Sequence, residues 1–173
     1  MFQISEKEIK ARLQFDNPWW EDSQIDPRFD RMRHRHYFES FFELVSDRSI
    51  NRAIVLMGPR RVGKTVMIYH AIKKLIGQGI APHHILYLSL ETPLYTDLRL
   101  DQLLTFFSEL HEHNRQSNLI VFFDEVQYLK NLEVHLKSLV DSYPQYRFVV
   151  TGSAAAALRL KTQESGIRRW KIF

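Results

Sequence analysis

Eight consecutive residues, Gly58-Pro59-Arg60-Arg61-Val62-Gly63-Lys64-Thr65, match G-x-x-x-x-G-K-S/T at every fixed position. A polyphosphate needs many donors close together. Backbone N–H groups supply them only where the chain wraps tightly, which glycine permits. A helix that begins inside such a loop aims its unpaired N–H groups and partial positive charge at the bound anion. The candidate phosphate loop therefore runs from Gly58 to Val66. Lys64 is placed to reach the β- and γ-phosphates, and the Thr65 hydroxyl to ligate Mg²⁺. ATP and Mg²⁺ are the expected ligands. No Asn/Thr-Lys-x-Asp pattern for reading guanine occurs anywhere in the chain.

Asp124 and Glu125 directly follow the apolar run Leu119–Phe123. The C-terminal ends of strands are where α/β sheets place ligands. Asp124 suits a Mg²⁺ ligand, and Glu125 suits a general base that polarises water. The same pair would also serve as a helix N-cap with an acidic first turn. Thr151 and Ser153 close the following strand candidate, where a hydroxyl could hold a water or touch a γ-phosphate, or simply shape a turn. Arg168 and Arg169 could bring a cation to transition-state charge, in the same chain or in a neighbouring subunit. They read equally well as an exposed basic tail.

The elements that must carry these residues alternate. Ala53–Met57 is a short apolar run bounded by Gly58, which reads as a buried strand. Met67, Ile68, Ala71, Ile72, Leu75 and Ile76 share a helical face, and Gly77 and Gly79 stop that helix. Ile85–Leu90, Leu119–Phe123 and Tyr146–Val150 are three further strands. Leu100, Leu103, Leu104, Phe107 and Leu110 mark one helix between them. Leu129, Leu132, Leu136, Leu139 and Val140 mark another. Tyr37 to Val45 gives a preceding helix with one apolar face. Strands alternating with helices imply parallel pairing through right-handed crossovers. The expected class is α/β, a three-layer sandwich with helices on both faces of a mostly parallel sheet. Residues 1–35 are expected to be an irregular N-terminal segment, broken at Asn17-Pro18 and Asp26-Pro27, with the main domain spanning 36–173.

Composition sets limits. The 173 residues suit one domain, with 45% hydrophobic and 25% charged side chains. The net charge of +4 is mild and dispersed, closer to a solvated surface than to a nucleic-acid patch. With no cysteine, disulfides and thiolate chemistry are excluded. The charged start lacks a signal-peptide core, and the longest apolar runs are too short for a bilayer, so a cytoplasmic location without membrane contact is expected. The histidine pairs His34/His36, His83/His84 and His111/His113 lack a nearby third ligand in sequence, so a zinc site is not expected. Trp19, Trp20 and the aromatics of Tyr37–Val45 could stack on bases, but core packing is the expectation.

Together these residues resemble the AAA+ superfamily of ATPases, and within it the prokaryotic AAA_14-type proteins that usually carry a C-terminal DUF4143 domain. The resemblance rests on Asn17-Pro18-Trp19-Trp20, Gly58–Thr65, Phe123-Asp124-Glu125-Val126-Gln127 and Thr151-Gly152-Ser153. It implies Walker A at Gly58–Thr65, Walker B at Asp124 and Glu125, and a sensor-1 role for Thr151. It further implies that the Thr151 strand lies between the Walker A and Walker B strands. Assembly into homo-oligomers is also implied, with Arg169 the matching arginine and Arg168 in place of the usual glycine. The chain ends at Phe173, where the fifth strand of such proteins begins, so the last strand and the helical lid are expected to be missing. The function implied is hydrolysis of Mg·ATP as a switch or motor for a protein or nucleic-acid partner. The alternatives are a nucleotide-binding interaction module with little turnover and, less supported, a phosphotransferase.

Overall fold

A computed structural model describes residues 5–156 and 170–172. In chain order it contains α1 (Glu6–Asp16), α2 (Trp19–Asp22), α3 (Pro27–Asp30), α4 (Phe38–Ser46), β1 (Ala53–Met57), α5 (Lys64–Gly77) and β2 (Ile85–Ser89). There follow α6 (Leu100–His111), β3 (Ile120–Asp124), α7 (Leu132–Ser142), β4 (Arg147–Gly152) and β5 (Trp170–Ile172). The strands form one all-parallel sheet in the order β2-β3-β4-β1-β5. The Thr151 strand, β4, thus lies between β1 and β3, as the resemblance implies.

The strands are apolar throughout because both faces are covered. Successive side chains alternate between two cores. Ala53 and Val55 of β1 and Val121 and Phe123 of β3 pack on one side with α1, α6 and α7. Ile54 and Leu56 of β1 and Ile120 and Phe122 of β3 pack on the other with α4 and α5. A continuous apolar run followed by an amphipathic helix dictates this sandwich. No helix among the described residues is long and apolar enough to cross a membrane.

Two expectations need correction. The segment up to residue 35 is not irregular: it holds α1, α2 and α3. Helix α1 escapes a periodicity search because its buried residues are only Ile9 and Leu13, one turn apart. Its start was nonetheless written in the sequence. Ser5 accepts from Glu8 N and the Glu8 side chain accepts from Ser5 N, a reciprocal capping box. The last strand, expected to be missing, is present over three residues. Trp170 to Ile172 pair with Ala53 to Val55, because the outer edge of β1 offers unpaired N–H and C=O groups to any extended chain beside it.

The C-terminal end of α4 is closed by a buried cation. Arg147, at the start of β4, is 4% exposed. Its guanidinium donates to Leu44 O at 2.8 Å, Arg52 O at 3.0 Å, Ile50 O at 3.2 Å and Val45 O at 3.3 Å. Burial lowers its pKa to about 10, still well above neutral pH, so the charge stays where the carbonyl end of the helix dipole favours it. Arg147→Met should keep the packing but orphan those carbonyls, lowering stability by about 1.5–3 kcal/mol. Urea unfolding of the two proteins tests this, and a change below about 0.5 kcal/mol, typical of neutral surface sites, would refute it.

Candidate functional site

The loop Gly58–Thr65 joins β1 to α5, and α5 begins at Lys64. Its geometry explains the residue types. Gly63 has φ +95°, in the left-handed region that glycine adopts without cost. A Cβ there would also lie 2.6 Å from Nη2 and 2.8 Å from Cζ of Arg35. Arg61, at φ 63°, holds the same region without that freedom, at about 1–2 kcal/mol of local strain. The N–H groups of Arg60, Arg61, Val62 and Gly63 donate to no protein acceptor among the described residues. Together with the start of α5 they leave a run of unpaired donors. Val66, in the first turn of α5, is buried.

Lys64 is buried, at 6% exposed, and its ammonium folds back to donate to Pro59 O at 2.7 Å and Gly58 O at 3.1 Å. A cation satisfied only by loop carbonyls can be handed to a stronger acceptor, such as a phosphate oxygen, with little cost.

The carboxylates come from the opposite wall. Asp124 is the last residue of β3, rather than the first residue after it, and is 1% exposed. Its Oδ2 accepts the Thr65 hydroxyl at 2.7 Å and the Tyr87 phenol at 3.0 Å. Its Oδ1 accepts the Thr151 hydroxyl and, at 3.1 Å, the N–H of Glu125. The register explains the meeting. Phe123 lies opposite Val150, so Asp124 and Thr151 come next across that pair, and Leu56 of β1 lies opposite Thr151. Thr65 Oγ1 and Asp124 Oδ2 are adjacent hard oxygens, the donor type that suits Mg²⁺.

Glu125 turns the chain at φ 57° ahead of a 3₁₀ turn, Val126–Tyr128. Its side chain does not cap that turn, so the N-cap alternative fails for it. The carboxylate instead accepts from Gln127 Nε2, while Gln127 Oε1 accepts the N–H of Ser153 at 3.1 Å. Gly152 leaves room for this bridge: a Cβ there would stand 3.1 Å from Gln127 Oε1 and 3.0 Å from Val126. The structure therefore gathers Lys64, Thr65, Asp124, Glu125, Thr151 and Ser153 at one end of the sheet. Arg168 and Arg169 lie outside the described residues.

The sequence of the chain matches the AAA domain family over residues 50–173. The chain belongs to that family. An uncharacterized protein of Methanocaldococcus jannaschii, MJ1637, is 33% identical over 110 residues, which cover 61% of this chain and 22% of that protein. The chain thus spans under a quarter of that relative. Among solved structures, the crystal structure of a DNA replication initiation factor is similar, with a TM-score of 0.52 at 13% identity, over 86% of this chain and 50% of that one. At that identity the likeness is one of fold. This AAA domain has the nucleotide-binding, AAA-type ATPase fold, and the candidate phosphate loop sits in it between β1 and α5.

Sequence reasoning assigned no role to Tyr87, Arg35 or Gln127. Tyr87 and Arg35 share no spaced motif with the residues they touch, whereas Gln127 stands in the Phe123–Gln127 motif two positions after Glu125. Arg60 of the AAA domain also donates to the Tyr128 hydroxyl at 3.0 Å, tying the phosphate loop to the turn after β3.

The histidines His83, His84, His111 and His113, read separately in sequence, meet between the start of β2 and the end of α6. Ring centroids lie 4.9–6.0 Å apart. Among the described residues no group of three or more side chains is arranged to hold a metal. His111 packs on Trp20, and its buried Nε2 has no hydrogen-bond partner among the described residues. Burial, and then the neighbouring imidazoles, lower the His111 pKa from 6.5 to about 4. The unfolded chain therefore binds this proton first. Stability is present above about pH 6.5 and falls as the pH drops toward 4. His111→Gln should flatten that part of the profile when unfolding midpoints are compared from pH 7.5 to 4. Parallel profiles would remove His111 as a source of acid sensitivity.

Proposed function

We propose that this AAA domain binds Mg·ATP in the loop Gly58–Val66 and hydrolyses it to ADP and phosphate. It would act in the cytoplasm as a switch or motor for a protein or nucleic-acid partner. The observation that carries the reading is the convergence of the phosphate loop with one carboxylate, Asp124, already bonded to the Thr65 hydroxyl.

The residues take the following roles. Backbone N–H groups of the loop and of the start of α5 hold the phosphates. The Lys64 ammonium leaves the carbonyls of Gly58 and Pro59 for the β- and γ-phosphate oxygens. The Thr65 hydroxyl and the Asp124 carboxylate would hold Mg²⁺, which supplies Lewis-acid polarisation of the phosphate oxygens and screens their charge. Glu125 accepts a proton from water as the water oxygen bonds to the γ-phosphorus. The bond from that phosphorus to the ADP oxygen breaks, and ADP leaves with the electron pair. Thr151 orients the water or the γ-phosphate. Arg169 offers a cation to the developing charge, in this chain or in a second copy of a homo-oligomer.

A second reading has its own observation. The Glu125 carboxylate is engaged by Gln127, an arrangement in which nucleotide could bind with little turnover, as in an interaction module. Phosphate release from Mg·ATP, measured beside nucleotide binding, separates the two. Lys64→Ala should abolish binding, since it removes the cation at the phosphates. Glu125→Gln should keep binding and lower turnover roughly 10²-fold or more. Unchanged binding in Lys64→Ala would overturn the loop assignment. Binding without turnover in the wild type would favour the interaction module.

A further inference from the structure

The segment Asn17-Pro18-Trp19-Trp20 lies far from the candidate phosphate loop in sequence. It is tied to β2, the strand at one edge of the sheet. The ties replace those of a missing neighbour strand. Asn17 is 0% exposed, and its side-chain amide does what a paired backbone would do. Oδ1 accepts the N–H of Tyr87 at 2.6 Å, while Nδ2 donates to Tyr87 O at 3.0 Å and to Leu13 O at 2.8 Å. The indole N–H groups of Trp20 and Trp19 both donate to Ile85 O, at 2.8 and 3.2 Å. Residues 85 and 87 point their backbone groups to the same, outer side of β2, so Asn17, Trp19 and Trp20 together cap that part of the edge.

The side chain of the residue so clamped reaches the site. In the β2–β3 register Ser89 lies opposite Asp124. Tyr87, two residues earlier, is on the same face and diagonal to Asp124, a separation that a long aromatic side chain spans. Its hydroxyl donates to Oδ2, the oxygen that also accepts Thr65. The ring cannot swing away easily. Tyr87 is 6% exposed and packs 5.0 Å from Tyr69, which itself is flanked by Trp19 and Phe29.

We propose that Tyr87, locked by Asn17, is a positioning residue that fixes the orientation of the Asp124 carboxylate and thereby sets the Mg²⁺ affinity of the nucleotide site. This rests on the Mg·ATP reading above. The physical reason is that a carboxylate with one oxygen held by two donors presents a single geometry to a cation. One relieved of a donor must be ordered when the cation binds. The N-terminal helical segment then contributes to the site without touching a ligand.

The test is Mg²⁺-dependent nucleotide binding, titrated with Mg²⁺ at fixed ATP, with EDTA-treated samples and thermal midpoints recorded alongside. Wild type is compared with Tyr87→Phe, Asn17→Ala and a control, Tyr95→Phe. The control also deletes a buried phenol–carboxylate bond, from Tyr95 to Asp16 at 2.7 Å, but on the opposite core. Removing a partner of a metal-binding carboxylate typically costs about 10–100-fold in metal affinity. Tyr87→Phe should therefore raise the Mg²⁺ concentration for half-maximal binding about tenfold or more, with metal-free nucleotide binding unchanged. Asn17→Ala should shift it in the same direction, and Tyr95→Phe should leave it at the wild-type value. An unchanged Mg²⁺ requirement in Tyr87→Phe, or a shift matched by Tyr95→Phe, overturns the inference while leaving the nucleotide reading intact. If Tyr87→Phe does not fold, the Asn17→Ala titration decides by the same criterion. A wild type that binds no nucleotide in a Mg²⁺-dependent way overturns both.

Discussion

A carboxylate taken almost wholly out of water must be given donors, and Asp124 receives them from four directions. Thr65 reaches it from the first turn of α5, Thr151 from β4, Tyr87 from β2 and the Glu125 N–H from its own chain. An unsatisfied buried charge would be expensive enough to unfold much of a domain this size. The ends of three adjacent strands and the start of one helix must therefore arrive together. The parallel order β2-β3-β4-β1 makes this feasible, because it brings every strand's C-terminal end to the same side.

The same constraint links stability to recognition. The donors that satisfy Asp124 are in place without any ligand, so under the proposed Mg·ATP reading little would have to be rearranged on binding. Lys64 follows the same logic: its charge rests on the carbonyls of Gly58 and Pro59. Strain is present as well, in the left-handed backbone of Arg61 and Glu125. Ser23, Glu112 and Asn131 adopt similar angles elsewhere, so positive φ alone does not single out a site. What sets Arg61 and Glu125 apart is their place, one inside the candidate loop Gly58–Thr65 and the other directly after Asp124.

The N-terminal segment shows how a sheet edge is finished without another strand. Side-chain amide and indole groups from Asn17, Trp19 and Trp20 take up the backbone groups of Ile85 and Tyr87. This removes a template for unwanted strand pairing and stiffens the strand that carries Tyr87. At the opposite edge β5 pairs with β1 over three residues.

Much of this was legible in the linear chain. Apolar runs bounded by glycine and alternating with helical stripes determine an α/β sandwich, since both patterns can bury their apolar faces only in each other. The spacing Gly58, Gly63, Lys64 and Thr65 marked a candidate phosphate loop, because a tight strand-to-helix wrap demands those types. Asp124 and Glu125 were legible because they end an apolar strand. Helix α1 was harder, because with two buried residues its stripe is too thin, though Ser5 and Glu8 marked its start. Only the tertiary structure decided the rest. Tyr87 meets Asp124 across a strand register, Gln127 bridges Glu125 to Ser153, Arg35 lies over Gly63, and four histidines converge from two elements. Such contacts depend on which strand lies beside which and with what offset. That is set by the packing of the whole core and leaves no periodic trace in the sequence.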